Sequence, residues 1–172
     1  MNPTHTIALQ VTTPTDTTIV LTRTFNAPRR LVWEAFFVPD KMRRWMLPPP
    51  GLTMTVCECE ARAGGALRLA WKNEEADPFM TLQGVFTEVT SPERATHTET
   101  MALGSGQTVG SQLETHEFAE AVGMGGMGGI TTMRITQVYD SKDARDGALA
   151  SGMDEGMECC YKQLDAVLAQ PA

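Results

Sequence analysis

Two histidines and two glutamates recur at alternate positions in two neighbouring segments, as His97, Glu99, Glu114 and His116. In an extended strand, residues two apart share one face, so each segment presents one histidine and one glutamate together. A hairpin symmetric about residues 106 and 107 would place His97 opposite His116 and Glu99 opposite Glu114, within contact distance. Imidazoles and carboxylates suit zinc and other divalent ions. The four residues are therefore candidate metal ligands, and the two carboxyl groups could also share a proton.

Two other interpretations of this group stay open on the sequence alone. The four side chains could form a polar floor in a ligand cavity, or they could lie on the surface as ordinary solvated charge. A one-residue slip in strand pairing would turn one set of side chains to the opposite face. A divalent metal is therefore one hypothesis among three, and no other cofactor is predicted.

Motifs of nucleophilic catalysis are missing from the sequence. It has no Gly-x-Ser-x-Gly elbow and no His-Glu-x-x-His motif, and its third histidine, His5, lies near the N-terminus. The glycine-rich stretch 123–129 is followed by neither a helix nor a P-loop lysine, so it does not indicate nucleotide binding. A hairpin loop with two methionines as an adaptable lip is favoured instead. No catalytic residue is assigned, and a noncatalytic protein is favoured over an enzyme.

The candidate residues belong to a series of short alternating segments. Such alternation of apolar and polar residues is typical of strands with one buried face. About six to seven strands are predicted, with approximate bounds 18–25, 52–57, 67–71, 80–89, 94–101, 112–119 and 130–139.

Two short helices are predicted after the first of these strands. Apolar residues recur at helical spacing between residues 31 and 36. Pro39 ends this helix, because proline clashes with the preceding turn and disfavours the α conformation in the residue before it. Asp40 can cap a second helix that ends near Trp45. The prolines at 48–50 then require extended backbone.

A long C-terminal helix is predicted from Asp140 or Ser141 to about Ala169. Its apolar residues are spaced by three or four and lie along one face, namely Leu149, Met153, Met157, Cys160, Leu164 and Leu168. Gly152 and Gly156 lie one turn apart, and each costs about 1 kcal/mol relative to alanine in a helix interior. The preferred explanation is that backbone, a strand or a ligand approaches the helix closely there.

Composition predicts one soluble domain. The chain has 172 residues and a formal net charge of -7, which disfavours binding to nucleic acid or to anionic membranes. Residues 1–16 contain neither a signal peptide nor a membrane span, and they are predicted to be a flexible lead-in to a single domain over 17–172. Cytoplasmic location, with four reduced cysteines, is the expected setting. If the protein forms an oligomer, a homodimer is expected, because symmetric dimers are the commonest oligomers of soluble proteins.

Several sequence elements resemble bacterial relatives of the activator of the Hsp90 ATPase, a family of the START-like, helix-grip (SRPBCC) superfamily. The resemblance covers about residues 17–170 and is carried by Arg23-Thr-Phe-x-Ala-Pro28, Val32-Trp33, Pro39-Asp40, Trp45, Gly64-Gly65 and the segment 150–156. It implies an α+β fold of the START-like and Bet v-like type. In this fold a curved antiparallel sheet wraps around a long C-terminal helix and encloses a cavity.

The resemblance leads to three hypotheses for function. The first is noncatalytic binding of a small, largely apolar molecule between the sheet and the C-terminal helix. The second is a chaperone ATPase-activator-like interaction module, and the third is a metal-dependent or acid-base enzyme that uses the His/Glu group. Besides that group, the predicted cavity residues are Trp33, Phe37, Trp45, Trp71, Phe86, Phe118, Met133, Met153 and Met157.

Overall fold

The computed structural model describes residues 8–46, 51–122 and 129–170. The extended backbone predicted at prolines 48–50 and the methionines of the glycine-rich loop lie outside these residues. Within the described ranges, eight strands and four helices follow one another along the chain. Their bounds are β1 Gln10–Thr15, β2 Thr18–Phe25, α1 Arg29–Phe37, α2 Pro39–Met42, β3 Thr53–Cys59, β4 Ala66–Lys72, β5 Met80–Thr90, β6 Arg94–Leu103, β7 Thr108–Val122, β8 Gly129–Tyr139, α3 Lys142–Ala150 and α4 Met153–Leu168.

All eight strands belong to one curved antiparallel sheet, in the order β1-β2-β8-β7-β6-β5-β4-β3. The first and last parts of the chain meet at the β2–β8 pair, which brings the C-terminal helices back onto the sheet. The predicted α+β helix-grip fold is confirmed. The predicted count of six to seven strands is too low by at least one.

The additional strand is β1, which lies in the segment predicted to be a flexible lead-in. Gln10 pairs with Thr22 and Val11 with Leu21, so the ordered sheet begins before residue 17. The two short helices consequently follow the second strand of the sheet. Three of the six residues of β1 are threonines, and threonine favours extended structure because its β-branched side chain fits a pleated surface. Residues 10–15 therefore form an edge strand, where a flexible lead-in was predicted.

Helices α1 and α2 form one wall of the core. Five of the nine residues of α1 are buried, and Pro39 occupies the first turn of α2, where its missing N–H costs nothing. Phe36 packs its ring 6.3 Å from that of Phe25 on β2 and 4.9 Å from that of Trp45. The indole of Trp45 donates a hydrogen bond to the carbonyl oxygen of Ala35. Residues 29–45 are thereby fixed against the sheet.

The C-terminal helix is broken, where a continuous helix was predicted. The side chain of Ser141 caps α3 by accepting a hydrogen bond from Ala144 N, and α3 ends at Ala150. Gly152 adopts φ +74°, a left-handed conformation that glycine reaches without steric cost, and α4 begins at Met153. The long apolar face is therefore divided between two helices that meet at Gly152.

Candidate functional site

A cavity of about 410 Å³ lies between the sheet and the helices. Its walls come from α1, α2, strands β4 to β8, α3 and α4. Most of the lining is apolar, contributed by Leu, Ile, Met, Phe and Trp side chains. The polar lining residues concentrate on three adjacent strands, β6, β7 and β8. The cavity therefore has a largely apolar body and one polar end.

Five of the nine predicted aromatic and methionine lining residues do line this cavity: Phe37, Trp45, Trp71, Met153 and Met157. The other four, Trp33, Phe86, Phe118 and Met133, do not appear in its lining and are buried in the core. The ring of Trp33, for example, lies 4.4 Å from that of Phe37 in a tilted contact and 5.8 Å from that of Phe118 in an edge-to-face contact. Apolar side chains of core and cavity lining have the same residue types, so composition and spacing could not separate them.

The four polar candidates all lie on the cavity side of β6 and β7, and all are buried. The predicted cross-strand pairs are wrong by two residues. His97 is opposite Glu114, and Glu99 is opposite Gln112. The hairpin closes between Leu103 and Gln107, and an irregularity follows in the pairing of β6 with the start of β7. A two-residue shift preserves the face of each side chain, which is why the four residues still converge.

Three of the four polar side chains form a compact cluster. The Nε2 atoms of His97 and His116 are 3.3 Å apart, and Glu114 Oε1 lies 2.7 Å from His116 Nε2 and 3.9 Å from His97 Nε2. The fourth candidate, Glu99, lies outside this group and accepts a hydrogen bond from Gln112 Nε2 at 2.8 Å. The predicted four-ligand set is therefore reduced to three.

Further polar residues at this end were missed by the sequence analysis. Gln137 Nε2 donates a 2.7 Å hydrogen bond to Glu114 Oε2, and the hydroxyl of Tyr139 donates to Gln137 Oε1 at 3.2 Å. Gln112 and Tyr139 are directly opposed on β7 and β8. The signal was available, since Gln112 continues the alternation of Glu114 and His116, and Gln137 and Tyr139 share a face of the next strand.

The tautomer of His97 follows from the hydrogen-bond acceptor beside its ring. His97 Nδ1 lies 3.1 Å from the carbonyl oxygen of Thr98, which can only accept, so Nδ1 carries the hydrogen. His97 Nε2 then presents a lone pair to the cluster. The Nδ1 atom of His116 is buried without a hydrogen-bond partner among the described residues. Such unpartnered atoms are uncommon in networks that serve only structure.

The pKa values of the two carboxyl groups, Glu99 and Glu114, are shifted in opposite directions. Burial and the charge of Glu114 raise the pKa of Glu99 well above its usual range. Burial also acts to raise the pKa of Glu114, but the net effect of its neighbours is to lower it. These neighbours are His116, through its hydrogen bond and charge, His97, through its charge, and Gln137, through its hydrogen bond. Burial lowers the pKa of His97, against the attraction of Glu114. Glu114 is therefore a carboxylate at neutral pH, whereas the surroundings of Glu99 favour its protonated form.

Neither backbone nor a strand approaches Gly152 or Gly156 closely, so these two of the three predicted explanations are wrong. A Cβ atom on Gly156 would meet nothing within 4 Å outside its own helix, and the same holds for Gly147 and Gly152. Gly147 and Gly156 line the cavity. Their missing side chains therefore leave volume in the cavity, and close approach of a ligand there stays a prediction.

The basic residues around α1 and α2 and the cysteines of β3 have structural explanations. Glu34 accepts hydrogen bonds from both Arg30 and Lys41, so the basic residues around α1 and α2 are at least partly neutralised. Cys57 is buried, and burial raises the pKa of its thiol and that of Cys59, the latter to about 12. Both cysteines behave as apolar residues. No helix in the described ranges has the length and hydropathy needed to cross a bilayer.

A curved sheet of eight strands that packs against C-terminal helices, with a cavity between them, defines a helix-grip protein of the SRPBCC superfamily. The chain belongs to the family described as Activator of Hsp90 ATPase homolog 1-like protein, whose model matches residues 26–169. This confirms the family indicated by the sequence elements above. The curated proteins give no match to the sequence.

Solved structures of similar proteins cover nearly the whole chain. A crystal structure from Rhodobacter sphaeroides has 28% sequence identity and a TM-score of 0.82, and the match covers 95% of this chain and 99% of that one. A crystal structure from Mycobacterium smegmatis, at 22% identity and a TM-score of 0.78, covers 96% and 99%. A solution structure from Arthrobacter aurescens, at 22% identity and a TM-score of 0.75, covers 96% and 94%. The last two are similar in fold alone.

Proposed function

We propose that this protein binds a small, largely apolar molecule, without catalysis, in the cavity between the sheet and helices α3 and α4. The observation that carries the proposal is the cavity itself, about 410 Å³ with an apolar body and one polar end. Small-molecule sites are typically about 300–1,000 Å³, mostly apolar, with a few polar groups that fix orientation. The cavity has this size and this composition.

The polar end supports a preference among ligands. The lowered pKa of Glu114 favours its carboxylate form and the raised pKa of Glu99 favours its protonated form, so this end offers both hydrogen-bond acceptors and a donor. An anionic group would be repelled by Glu114 in a region of low dielectric. The expected ligand therefore has a hydroxyl, amide or amine at one end and an apolar remainder that contacts residues such as Trp45, Trp71 and Met157.

The direct experiment is to identify the ligand and to measure its effect. Native mass spectrometry and solvent extraction of protein purified without a tag are expected to find a bound small molecule. After extraction and dialysis against a chelator, a library of small apolar alcohols, amides and amines is expected to raise the melting temperature, because a ligand that binds only the folded state stabilises it. A protein that yields no extractable ligand and responds to no compound contradicts the proposal.

Gly156→Leu gives a sharper test of where binding occurs. Leucine at 156 would project into open cavity space, and it is a better helix former than glycine by roughly 0.8–1 kcal/mol. The melting temperature of the ligand-free variant is therefore expected to match or exceed that of the wild type, while its affinity for the hits falls at least about 10-fold, a loss of about 1.4 kcal/mol.

Gly156→Ala is the matched control, because alanine supplies a similar gain in helix propensity while filling little volume. It is expected to keep the ligand response of the wild type. Equal ligand affinity in Gly156→Leu and Gly156→Ala would place binding outside this cavity.

The family description supports a second candidate, an interaction module that stimulates a chaperone ATPase. Its test is a pull-down with an Hsp90-type chaperone, together with measurement of ATPase rate as this protein is added. Stimulation by both the wild type and Gly156→Leu would favour an interaction surface over the cavity as the functional site. No capture and no stimulation would rule this candidate out.

A further inference from the structure

We propose that His97, Glu114 and His116 form a three-ligand site for a first-row divalent metal ion such as zinc, at the polar end of the cavity. The ligand atoms are Nε2 of each histidine and Oε1 of the glutamate. All three residues line the cavity, so a fourth coordination position faces the cavity space. The proposal shares the cavity with the function proposed above, but it requires no organic ligand.

The distances among the donor atoms match a metal site. Two ligands bound to a tetrahedral zinc ion, each at about 2.05 Å, stand about 3.3 Å apart. The three separations here are 2.7, 3.3 and 3.9 Å. Changes of about 0.6 Å in the shortest and the longest separation would make all three equal.

The outer hydrogen bonds of the cluster are those that orient metal ligands. A histidine that binds a metal through one nitrogen usually donates its other N–H to a carbonyl or carboxylate, and ligating carboxylates are themselves hydrogen-bonded. His97 Nδ1 donates to the carbonyl oxygen of Thr98, which leaves Nε2 as the donor atom. Gln137 donates to Glu114 Oε2, which leaves Oε1 facing the two imidazoles. Two of the three ligands are thus held in the required orientation.

The composition of the site also points to its class. Structural zinc sites are normally closed by four protein ligands, often cysteines, whereas sites that bind an exchangeable ligand have three protein ligands and one open position. Two histidines with one carboxylate around an open position also suit iron, cobalt and nickel. Glu99 is paired with Gln112 and does not contribute. The site is therefore of the exchangeable type, with room for water or a ligand atom as the fourth donor.

Ion binding would replace the hydrogen bond between His116 and Glu114. His116 Nε2 lies 2.7 Å from Glu114 Oε1, within hydrogen-bond distance in the metal-free protein. A metal ion binds the lone pair of an imidazole nitrogen, so a hydrogen on His116 Nε2 must leave that atom when the ion binds. The cluster then gains positive charge, and the fourth position would accept an anionic or neutral donor atom.

The test is a titration of the full-length, chelator-treated protein with Zn²⁺ in competition with a chromophoric chelator. The expected result is one ion per chain. His97→Gln, His116→Gln and Glu114→Gln are each expected to lower the affinity at least about 10-fold, and Gln137→Leu, which removes an orienting hydrogen bond, by about 10- to 100-fold. Circular dichroism and melting curves establish that each variant is folded.

The matched control is Glu117→Gln. Glu117 lies on the same strand as Glu114 but on the opposite face, where it forms an ion pair with Arg94 at 3.3 Å. This variant and His5→Ala are expected to bind Zn²⁺ with the affinity of the wild type. Co²⁺ provides the second readout, since a site of nitrogen and oxygen ligands gives a visible d–d spectrum without thiolate charge-transfer absorption.

Three outcomes would overturn the proposal. They are the absence of stoichiometric Zn²⁺ binding, binding that survives substitution of all three ligands, and thiolate absorption in the Co²⁺ spectrum. Because the titration does not measure binding of any apolar compound, a negative result leaves the apolar-ligand proposal standing. Conversely, a protein that binds Zn²⁺ at this site but responds to no compound in the library would contradict only the function proposed above.

Discussion

Arg23 is the residue that joins the C-terminal helix α4 to the sheet. It lies on β2 and is 1% exposed, with Nε 3.0 Å from Glu158 and Nη2 2.7 Å from Asp165. Its guanidinium also lies 4.8 Å from the ring centroid of Phe25. A buried charge that lost these partners would be strongly destabilising. The ion pairs therefore fix α4, and with it the cavity wall that contains Gly156 and Met157.

The Arg23 contacts predict an acid-sensitive stability. Burial works to raise the pKa of Glu158, but the hydrogen bonds from Arg23 and Leu9 N and the charge of Arg23 lower it below its usual value. A carboxylate with a lowered folded-state pKa stabilises the protein above its unfolded pKa, about 4.3, and this stabilisation is lost as the pH falls through the folded-state value. Glu158→Gln should reduce the free energy of unfolding at pH 7 by about 1–2 kcal/mol.

Urea unfolding at several pH values between 7 and 3 measures this effect. The difference between wild type and Glu158→Gln is expected to shrink as Glu158 becomes protonated at acid pH. Glu155→Gln, an exposed glutamate on the same helix, is the control and should change the free energy of unfolding little. A difference between wild type and Glu158→Gln that stays constant from pH 7 to 3 would contradict the assigned role of its charge.

At the scale of secondary-structure elements, the junction of α3 and α4 decides the shape of the cavity wall. Gly152 is the last residue before α4 and has φ +74°, while Gly156, one turn later, lies inside α4. In a single continuous helix the two glycines would be equivalent. Because Gly152 lies at the break and Gly156 lies inside α4, replacing each of them by alanine should have opposite effects on stability.

Gly152→Ala is expected to destabilise the protein by about 1 kcal/mol, because alanine pays a steric cost in the left-handed region. Gly156→Ala is expected to stabilise it by about 0.5–1 kcal/mol, because its backbone is helical and nothing lies within 4 Å of the added Cβ. Chemical denaturation of both variants measures the two values. Stabilisation by both substitutions would instead indicate a continuous helix.

The same two elements show what sequence patterns can and cannot predict. The three-and-four spacing predicted the apolar face correctly, because that face persists across the break. Glycine is favoured at helix ends and disfavoured inside helices, so its presence at 152 and 156 did not show which position was the boundary. Likewise, alternation predicted the faces of His97 and Glu114 but not their pairing, since pairing depends on the tight turn at Gly106 and on the irregularity beyond it.

At the scale of the whole molecule, the fold was the most predictable property and the cavity the least. Alternating strands, the two proline-bounded helices and an amphipathic C-terminal segment are local signals in the sequence, and the family resemblance implied their arrangement as a helix-grip fold. Whether an apolar residue fills the core or lines a void is a property of the assembled structure. Trp33 and Trp45 are both buried aromatic residues, yet only Trp45 faces the cavity. A cluster of metal-binding side chains is harder still to predict from sequence, because it depends on the pairing register of two strands.

The N-terminal strand allows a test of where the folded unit begins. Leu9 N donates to Glu158, and the carbonyl oxygen of Thr15 accepts from the buried Arg145, so deletion of residues 2–15 removes β1 and two hydrogen bonds to charged groups. Such bonds are worth about 1.5–3 kcal/mol each, and the loss in unfolding free energy should reach at least about 2 kcal/mol. Deletion of residues 2–7 is the control, because every contact described for β1 and Leu9 remains. Equal urea midpoints for the two truncated proteins would show that β1 adds nothing to stability and that the folded unit begins at β2, as the sequence alone suggested.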